Sequence, residues 1–553
     1  MERTGITRRG FLAGLGVASA AAVGGGMLGC SSPGQANGGS AGSAKGTTEA
    51  PVWERVPDPI ADDQIAETIE AEVVIVGAGI AGCCAAMAAA EAGLDAVVLQ
   101  KHSEVFNYAT GVATYATKEQ VAQGAPDKYD VDELISDYMK NSTNLPDRRF
   151  IELWRDRSGS DFDWLCGHFT AEEIDPPAWD WTEPQPIMGM FDMISAMPIL
   201  ARKAEDLGVR FRYSTPAVQL VREEGGRVTA VVAQNEDGDY VKAVASKGVV
   251  LCAGDYGNNP EMRAEFLPHA EGYSSAVEPP LNTGDGELIA LWVGAAMDRK
   301  PHCTNIHYDL IDGTLQQVFG AGIPWLKVNK DGERFNNEDV QYGYVPMQDA
   351  AQPDCMHFDI FDGNYETYQP QMGEGLYRSF PSPEATAPPF LEYLAEQGVD
   401  TAGMSDYDAI LEAYVRLGSM YRGDTIEDVA EQAGISADAL RATVDRYNEL
   451  AAKGSDEDYG KPGSYLFPID TPPYYAVPRR AFSLSCLSGI SINLNAQVLD
   501  TEGEVIPGLY ACGNNSGGRW FAGLVQPMSI PGVPSSRAII TARLAIEDIV
   551  KQS

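Results

Sequence analysis

The stretch Glu72-Val-Val-Ile-Val-Gly77-Ala-Gly79-Ile-Ala-Gly82 decides the fold of this 553-residue chain. Its first five residues form a nearly continuous apolar run, which is typical of a strand buried on both faces of a parallel sheet. An Ala-rich helix then runs to Gly93, and a second apolar strand is expected over residues 96–100. A strand, a GxGxxG turn, a helix and a second strand in this order predict an α/β dinucleotide-binding domain.

Each glycine of this turn has its own expected function. Gly77 makes the tight turn, Gly79 lets the backbone approach the pyrophosphate, and Gly82 lets the helix pack on the strand. The helix N-terminus then faces the phosphates. Gln100 stands at the end of the second strand, where an acidic residue usually holds the ribose hydroxyls. Its amide can still donate and accept hydrogen bonds, but without a carboxylate the sequence indicates NAD as the cofactor less clearly.

Composition argues against a nucleic-acid partner and against several kinds of metal site. The chain has 40 Lys and Arg against 79 Asp and Glu, a formal charge of −39, so we expect no nucleic-acid partner. Its 44% hydrophobic and 22% charged residues are typical of a globular protein. The nine cysteines form no CxxC or CxxCH motif and no metal-ligand spacing, so the sequence predicts no haem, zinc or iron–sulfur site.

The N-terminus is predicted to be an export signal. Arg8-Arg9-Gly-Phe-Leu12 precedes an uncharged run and is typical of a twin-arginine leader. The run ends in Met27-Leu-Gly-Cys30, which resembles a lipoprotein cleavage box and implies a lipid on Cys30; an ordinary signal end that contains a cysteine is the alternative. The Gly- and Ser-rich residues that follow predict a flexible tether. We expect an exported protein at the outer face of the cytoplasmic membrane, in the periplasm or cell envelope.

Three later segments indicate which dinucleotide is bound. Lys247-Gly-Val-Val-Leu-Cys-Ala-Gly254 and Ile506-Pro-Gly-Leu-Tyr-Ala-Cys-Gly-Asn514 are strands that end in small residues, and Asn282-Thr-Gly-Asp-Gly286 lies between them. With the first stretch, they make the chain, from about residue 70 onward, resemble the FAD-dependent fumarate reductase and 3-ketosteroid dehydrogenase superfamily, including exported flavin reductases of gut actinobacteria. The sequence differs from the superfamily pattern at Asp255, where the superfamily usually has glycine, and at Asn514, where it usually has glutamate.

This resemblance implies FAD as the cofactor and a Rossmann-like FAD-binding domain interrupted by an α+β capping domain. The implied division is a signal over residues 1–30, a linker over 31–64, the FAD-binding domain over 65–299 and 479–553, and the cap over 300–478. The residues implied to contact FAD are Gly77, Ala78, Gly79, Ala81, Gly82, Gln100, Lys101, Gly111, Ala217, Asp285, Gly513, Asn514, Val533 and Ser535.

The resemblance also implies a changed substrate. Fumarate reductases hold two carboxylates with histidines and arginines, but their proton-donating arginine falls at Tyr342 here, a relay arginine at Phe319, and a substrate histidine at Ser485. His307 is the candidate for the remaining histidine, and His302 is the alternative. Burying a dicarboxylate without partner cations costs several kcal/mol per charge. We therefore expect a flat ligand that is neutral or carries one negative charge, in a pocket of Phe319, Tyr344, Ser485, Trp520 and Phe521.

Tyrosine in place of the proton-donating arginine resembles the ketosteroid dehydrogenase branch. A phenol with a pKa near 10 is a competent acid toward a developing enolate. Tyr342 is the candidate proton donor. Tyr475, in a segment that matches the superfamily's Pro-Phe/Tyr-Tyr-Ala, is the candidate for carbonyl polarisation, and backbone N–H groups of residues 530–535 are the alternative.

The sequence therefore predicts an exported flavoenzyme that reduces the activated C=C bond of an α,β-unsaturated carbonyl compound, steroid-like or phenylpropanoid-like. Electrons are expected from a separate membrane-bound donor of the quinol or cytochrome type, as in anaerobic respiration. Two alternatives stay open: a ketosteroid-type desaturase that runs the reaction in reverse, and a flavin lipoprotein without catalytic activity.

Overall fold

The computed structural model describes residues 50–179, 185–275, 281–309, 320–340, 342–373, 378, 391–392, 394–395 and 397–552. The predicted signal, most of the predicted linker, and Phe319 lie outside these residues. Within them, no helix is both long and apolar enough to cross a membrane.

The strands in chain order are β1 Ile65–Val76, β2 Ala96–Leu99, β3 Gly111–Ala113, β4 Ala178–Trp179, β5 Met188–Met190, β6 Arg210–Arg212, β7 Ala217–Arg222, β8 Val228–Gln234, β9 Tyr240–Leu251, β10 Ser274–Ser275, β11 Thr304–Asp309, β12 Leu326–Val328, β13 Met356–Phe361, β14 Tyr421–Gly423, β15 Tyr474–Cys486, β16 Gln497–Leu499 and β17 Val505–Ala511.

The helices in chain order are α1 Ile80–Glu91, α2 Lys118–Ala122, α3 Val131–Asn141, α4 Arg148–Cys166, α5 Met193–Asp206, α6 Pro260–Phe266, α7 Asp285–Leu291, α8 Val345–Asp349, α9 Tyr365–Tyr368, α10 Asp406–Leu417, α11 Ile426–Ala433, α12 Ala437–Lys453 and α13 Val533–Gln552, with short 3-10 turns between several of them.

The largest sheet carries the predicted dinucleotide-binding domain. Its main order is β16-β17-β9-β1-β2-β6, with β8 and β7 continuing from β9. Pairing is parallel across β17, β9, β1, β2 and β6, and Val76 at the end of β1 lies opposite both Leu99 of β2 and Leu251 of β9. The carboxyl ends of these strands therefore meet at one edge, which is where ligands bind in open α/β sheets. The predicted mixed α/β fold with a parallel sheet is confirmed.

A second sheet lies in the region predicted to be the cap. Its order is β10-β15-β13-β12, and β11 and β14 also pair with β15. Residues 475–480 of β15 pair with β13, and residues 480–486 pair with β11. The predicted domain boundary between residues 478 and 479 falls inside this strand, and the exact division stays a prediction. The two predicted cap helices form as α11 and α12, separated by a turn at Gly434, whose φ is +70°.

A cluster of fully buried charges stabilises the second sheet. The Asp359 carboxylate on β13 pairs with Lys327 of β12 and, at 2.9 Å, with Nε of Arg479 on β15. His357 Nε2 lies 3.3 Å from the same carboxylate, and its Nδ1 lies 2.9 Å from Asp349. Burial alone raises the pKa of Asp359, but Lys327, His357 and Arg479 outweigh it and hold this pKa far below its usual value. One ionised carboxylate thus neutralises cations from two neighbouring strands.

We predict that Asp359→Asn lowers the free energy of unfolding by about 3–5 kcal/mol, because it removes the carboxylate that pairs with both buried Lys327 and buried Arg479. Glu427→Gln is the control, since it removes an exposed ion pair with Arg441 and is expected to cost about 1 kcal/mol or less. Denaturant unfolding of both purified holoproteins measures the difference. Equal losses in the two variants would contradict the proposed importance of the buried cluster.

Candidate active site

The GxGxxG turn brings three backbone segments into direct contact. Gly77 has a φ of +101°, and a Cβ at this position would overlap the backbone of Cys252 at the end of β9. A Cβ on Gly82 would overlap the carbonyl oxygen of Gly77. A Cβ on Gly79 would come no closer than 3.4 Å to its nearest neighbour, the carbonyl oxygen of Phe106. Gly77 and Gly82 are therefore required by the fold, whereas Gly79 leaves free space beside the helix N-terminus.

Gln100 holds this turn in place. Its Oε1 accepts a hydrogen bond from the Ala78 N–H at 3.1 Å, and its Nε2 donates to the Glu104 carbonyl at 2.9 Å. The buried amide is thus occupied by backbone groups, a positioning contact that the ribose interpretation did not include. The Gln100 carbonyl accepts from the Thr215 N–H at 2.8 Å, which places Ala217, at the start of β7, close to the same edge.

Lys101 joins the end of β2 to the start of α7. Its Nζ donates to Thr283 Oγ1 and to Asp285 Oδ2, both at 2.8 Å. Lys101 and Asp285, which were predicted separately as cofactor contacts, therefore form one partly exposed ion pair at the rim of the sheet.

On the other side of β1, strand β17 and the turn that follows it also reach the carboxyl edge of the sheet. Gly513 has a φ of +61° and packs against Ala81 of α1, where a Cβ would come within 3.1 Å of the Ala81 methyl. Next to it, Asn514 Nδ2 donates to Asp255 at 3.4 Å, and Asn514 Oδ1 accepts from Nη2 of Arg537 at 2.7 Å. Asn514 therefore has a defined orientation at the rim of the sheet.

The start of α13 packs against strand β3 at the same edge of the sheet. Strand β3 begins at Gly111, and its last residue, Ala113, donates its N–H to the Gly532 carbonyl at 3.1 Å. This contact places β3 against the start of α13, which carries Val533 and Ser535.

Partly buried residues from these elements meet at the carboxyl edge of the sheet, and we call this edge the FAD groove. Gly79, Ala253, Gly254, Asn282 and Asn514 are only partly buried, although the strands and helices that carry them are otherwise buried. Small residues and backbone at a helix N-terminus suit a pyrophosphate, and the two asparagine amides suit the polar groups of a ribityl or ribose chain. The residues present therefore fit FAD.

Asp255 is a buried acid beside this groove that the sequence interpretation noted only as a departure from the superfamily. Its carboxylate accepts from the Gly257 N–H at 2.8 Å and from Asn282 Nδ2 at 3.1 Å. Burial raises the pKa of Asp255 to about 7, despite the hydrogen bonds from Gly257 and Asn514.

Tyr108 is a second residue that the sequence interpretation missed. Its hydroxyl accepts from Asn282 Nδ2 at 3.4 Å and interacts with Ser485. Burial, followed by the nearby Asp255, raises the pKa of Tyr108 well above its usual value, so the phenol is neutral. No local motif marks this tyrosine, because its position depends on how the loop before β3 crosses the sheet edge.

Three uncharged polar residues lie in a row across adjacent strands. Asn305 of β11 pairs with Ser485 of β15. On the other side of β11, Thr304 forms a parallel bridge with Val525, and the Gln526 N–H donates to the Thr304 carbonyl at 3.0 Å. This register places Gln526 beside Asn305 on the same face. We call Asn305, Ser485 and Gln526 the polar row; all three are buried.

The predicted catalytic residues His307 and Tyr342 meet next to this row. His307 lies two residues beyond Asn305 on β11, and its Nδ1 is 3.3 Å from the Tyr342 hydroxyl. Both side chains are buried. Burial lowers the pKa of His307 to about 4, so the imidazole is neutral at physiological pH. Gly343 approaches the carbonyl of Gln526, which brings the pair and the polar row into one site.

The structure does not bring Tyr475 to this pair. Its ring stacks on Phe361 at 5.0 Å and meets Tyr365 edge-on at 6.0 Å, within the aromatic core of the second sheet. Burial raises the pKa of Tyr475 to about 12, although Arg422 opposes the rise. The structure therefore places Tyr475 as a core residue of the second sheet and does not support its predicted catalytic role.

The other predicted pocket residues have mainly structural contacts. Tyr344 donates its hydroxyl to the carbonyl of Asn141 at the end of α3. Trp520 packs on Phe150 at 5.4 Å within the core of the FAD-binding domain. Phe521 lies in the same core, under the guanidinium of Arg537 at 4.9 Å.

Arg537 is a buried cation that the sequence interpretation did not identify. Besides Asn514, it donates to the carbonyls of Leu487 at 2.6 Å and Ser516 at 3.1 Å. Among the described residues no carboxylate lies within ion-pair distance of it. Burial lowers its pKa to about 10, so it remains charged at neutral pH. Its two terminal nitrogens donate to Asn514 and to backbone carbonyls, which orients the turn after β17. Arg519 similarly donates to the carbonyl of Leu145.

Comparison with known proteins agrees with this geometry. An FAD-binding domain family matches residues 72–523. The vinyl phenol reductase of Lactiplantibacillus plantarum is 24% identical over 85% of this chain and 94% of its own length. The digoxin reductase of Eggerthella lenta is 27% identical over 93% of this chain and 92% of its own. The open conformation of a flavocytochrome c3 fumarate reductase has the same fold, with a TM-score of 0.66 and 24% identity over 90% of this chain and 82% of that one.

The fold and the groove define an FAD-dependent oxidoreductase. The chain belongs to the FAD-binding domain family, within the superfamily of fumarate reductases and 3-ketosteroid dehydrogenases. The predicted cofactor is thereby confirmed. The alternative of a flavin lipoprotein without catalytic activity is not supported by these relatives, which are named reductases and dehydrogenases.

We predict that two neighbouring glycine variants separate folding from cofactor binding. Gly82→Ala is expected to lower the free energy of unfolding by about 1–3 kcal/mol and to reduce FAD content, because the new methyl group overlaps the Gly77 carbonyl and displaces the helix. Gly79→Ala is expected to fold normally but to bind FAD at least about tenfold more weakly, because its methyl group fits the protein but blocks backbone approach to the pyrophosphate.

Flavin absorbance per chain and denaturant unfolding of the flavin-stripped proteins provide the two measurements. Full FAD retention by Gly79→Ala would show that the cofactor does not approach this glycine.

Proposed function

We propose that the protein reduces the activated C=C bond of an α,β-unsaturated carbonyl compound that is neutral or carries a single negative charge. The observation that carries this proposal is the buried, uncharged pair of His307 and Tyr342 beside the polar row. A neutral imidazole and a phenol do not compensate two carboxylates, whereas they suit a ligand whose charge develops only during the reaction.

Reduction of an enone adds a hydride at Cβ and a proton at Cα. FAD, when bound and reduced, supplies the hydride. Tyr342 is positioned to give its hydroxyl proton to Cα. With its ring proton on Nδ1, His307 donates a hydrogen bond to the Tyr342 oxygen and stabilises the phenolate that remains until solvent returns the proton.

The carbonyl oxygen of the substrate needs a hydrogen-bond donor while enolate charge develops on it. Tyr108 is a neutral hydroxyl at the junction of Asn282 and Ser485, between the FAD groove and the polar row. We assign carbonyl polarisation to this hydroxyl in place of Tyr475, because Tyr108 borders the same polar row as the proton donor.

The reverse reaction, desaturation of a saturated ketone, uses the same residues in the opposite sense. Relatives of both kinds occur in the superfamily. Anaerobic mixing separates the two directions: reoxidation of reduced flavin by an enone supports the reductase, and bleaching of oxidised flavin by the saturated ketone supports the desaturase.

We predict that Tyr342→Phe slows reoxidation of the reduced flavin by an enone by about 10²–10⁴-fold, because the proton donor is lost. FAD content is expected to be unchanged. Tyr475→Phe is the matched control: it removes the same hydroxyl from the aromatic core and is expected to alter the rate by about threefold or less. Stopped-flow absorbance with benzylideneacetone and 4-androstene-3,17-dione measures both rates. Wild-type reoxidation by Tyr342→Phe would exclude Tyr342 as the donor.

We further propose that the protein works outside the cytoplasmic membrane and receives electrons from a separate quinol or cytochrome donor. The twin-arginine motif at Arg8-Arg9 and the tether after Cys30 support this location. Replacing both arginines by lysine is expected to leave the folded holoprotein in the cytoplasm, as measured by cell fractionation. Unchanged export of that variant would contradict the proposed route.

A further inference from the structure

The polar row contains two buried amide oxygens for which the described part of the chain offers no hydrogen-bond partner. Asn305 is 8% exposed and Gln526 is 2% exposed, and neither Asn305 Oδ1 nor Gln526 Oε1 has a hydrogen-bond partner among the described residues. Buried polar groups in native proteins nearly always have a partner, because a missing hydrogen bond leaves their desolvation uncompensated. Two such groups side by side therefore indicate a ligand.

The register explains why these two amides act together. Thr304 bridges Val525, and the Gln526 N–H bonds to the Thr304 carbonyl at 3.0 Å, so Asn305 and Gln526 are lateral neighbours on one face. The pairing has a bulge between Asn305 and Ile306, where β15 contributes the extra residue Leu484. Strand β11 itself is continuous there, so its side chains alternate and His307, two residues beyond Asn305, shares this face. The two amides thus flank the position at which Tyr342 is proposed to protonate the substrate.

The surroundings restrict the chemistry of the group that these amides bind. Ser485 is neutral, and His307 is neutral because burial disfavours its charged form. Arg519 and Arg537 donate from their terminal nitrogens to the carbonyl groups of Leu145 and Leu487, and among the described residues neither guanidinium contacts the polar row. A carboxylate bound here would lack a counter-charge. A hydroxyl group both donates and accepts, so it satisfies an asparagine or glutamine amide in either orientation.

We propose that Asn305 and Gln526 form a subsite for a hydroxyl group of the substrate, so that the preferred substrate is a hydroxylated neutral enone. This inference rests on the proposed function for the enone, but the subsite itself depends only on ligand binding. The two residues determine specificity; the proton and hydride transfers do not involve them.

The test compares substrates that differ by one hydroxyl group. The probes are 4-hydroxybenzylideneacetone against benzylideneacetone, and testosterone against 4-androsten-3-one. Wild-type holoenzyme is expected to prefer the hydroxylated member of at least one pair by about tenfold or more, because a buried polar site rejects a ligand that leaves it unpaired. In Asn305→Leu and Gln526→Met this preference is expected to fall to about one.

Binding is measured separately from turnover, by perturbation of the oxidised flavin spectrum. A hydroxyl preference in binding that disappears in both variants supports the subsite even if no probe is reduced, and in that case only the proposed reaction fails. No preference in either pair, a preference that both variants keep, or no binding of any hydroxylated probe would overturn the proposal.

Thermal unfolding of the holoproteins provides a second readout with a matched control. Gln120 is also fully buried, but its amide accepts from the Thr117 N–H and donates to the carbonyls of Thr114 and Pro186. Gln120→Met is therefore expected to lower the melting temperature by several degrees, because it leaves those groups unpaired. Gln526→Met is expected to keep or raise it. Equal losses in the two variants would show that Gln526 is already satisfied inside the protein and would overturn the subsite.

Discussion

The contact among Gly77, Gly82 and Cys252 is the constraint on which the rest of the site depends. Here a turn, a helix and a neighbouring strand approach so closely that no side chain fits between them. This contact sets where α1 begins, and therefore where its unpaired N–H groups point. It also sets where β9 ends, and therefore where Asp255 enters the sheet edge. The cofactor groove and its buried acid thus follow from the same packing.

Much of the FAD-binding fold was predictable because its signals are local. An apolar run, a glycine turn and an Ala-rich segment together predicted the end of β1, the end of α1 and both ends of β2 to within two residues. The start of β1 was missed, because this strand already begins at Ile65. The cap helices were predictable from Gly434 and the apolar period of α11 and α12. Strand β15 was not, because its thirteen residues pair with different partners along their length, and pairing partners are not visible in one segment.

The candidate site was predictable only in part. Tyr342 and His307 were found by their place in the superfamily pattern, and the structure brings them together. Tyr475 occupies an equally suggestive segment, but the alternation of side chains along β15 directs it to the aromatic core. Asp255, Tyr108, Asn305 and Gln526 become informative only when burial and missing partners are known, since an isolated Asn or Gln in a sequence carries no such signal.

The charge cluster around Asp359 has a consequence for redesign of this protein. One carboxylate contacts Lys327, Arg479 and His357, so a change at Asp359 alters the surroundings of all three buried side chains at once. These residues lie on β12, β13 and β15, and β15 also supplies Ser485 to the polar row. A redesign of the site that alters β12, β13 or β15 should therefore keep these four buried side chains together.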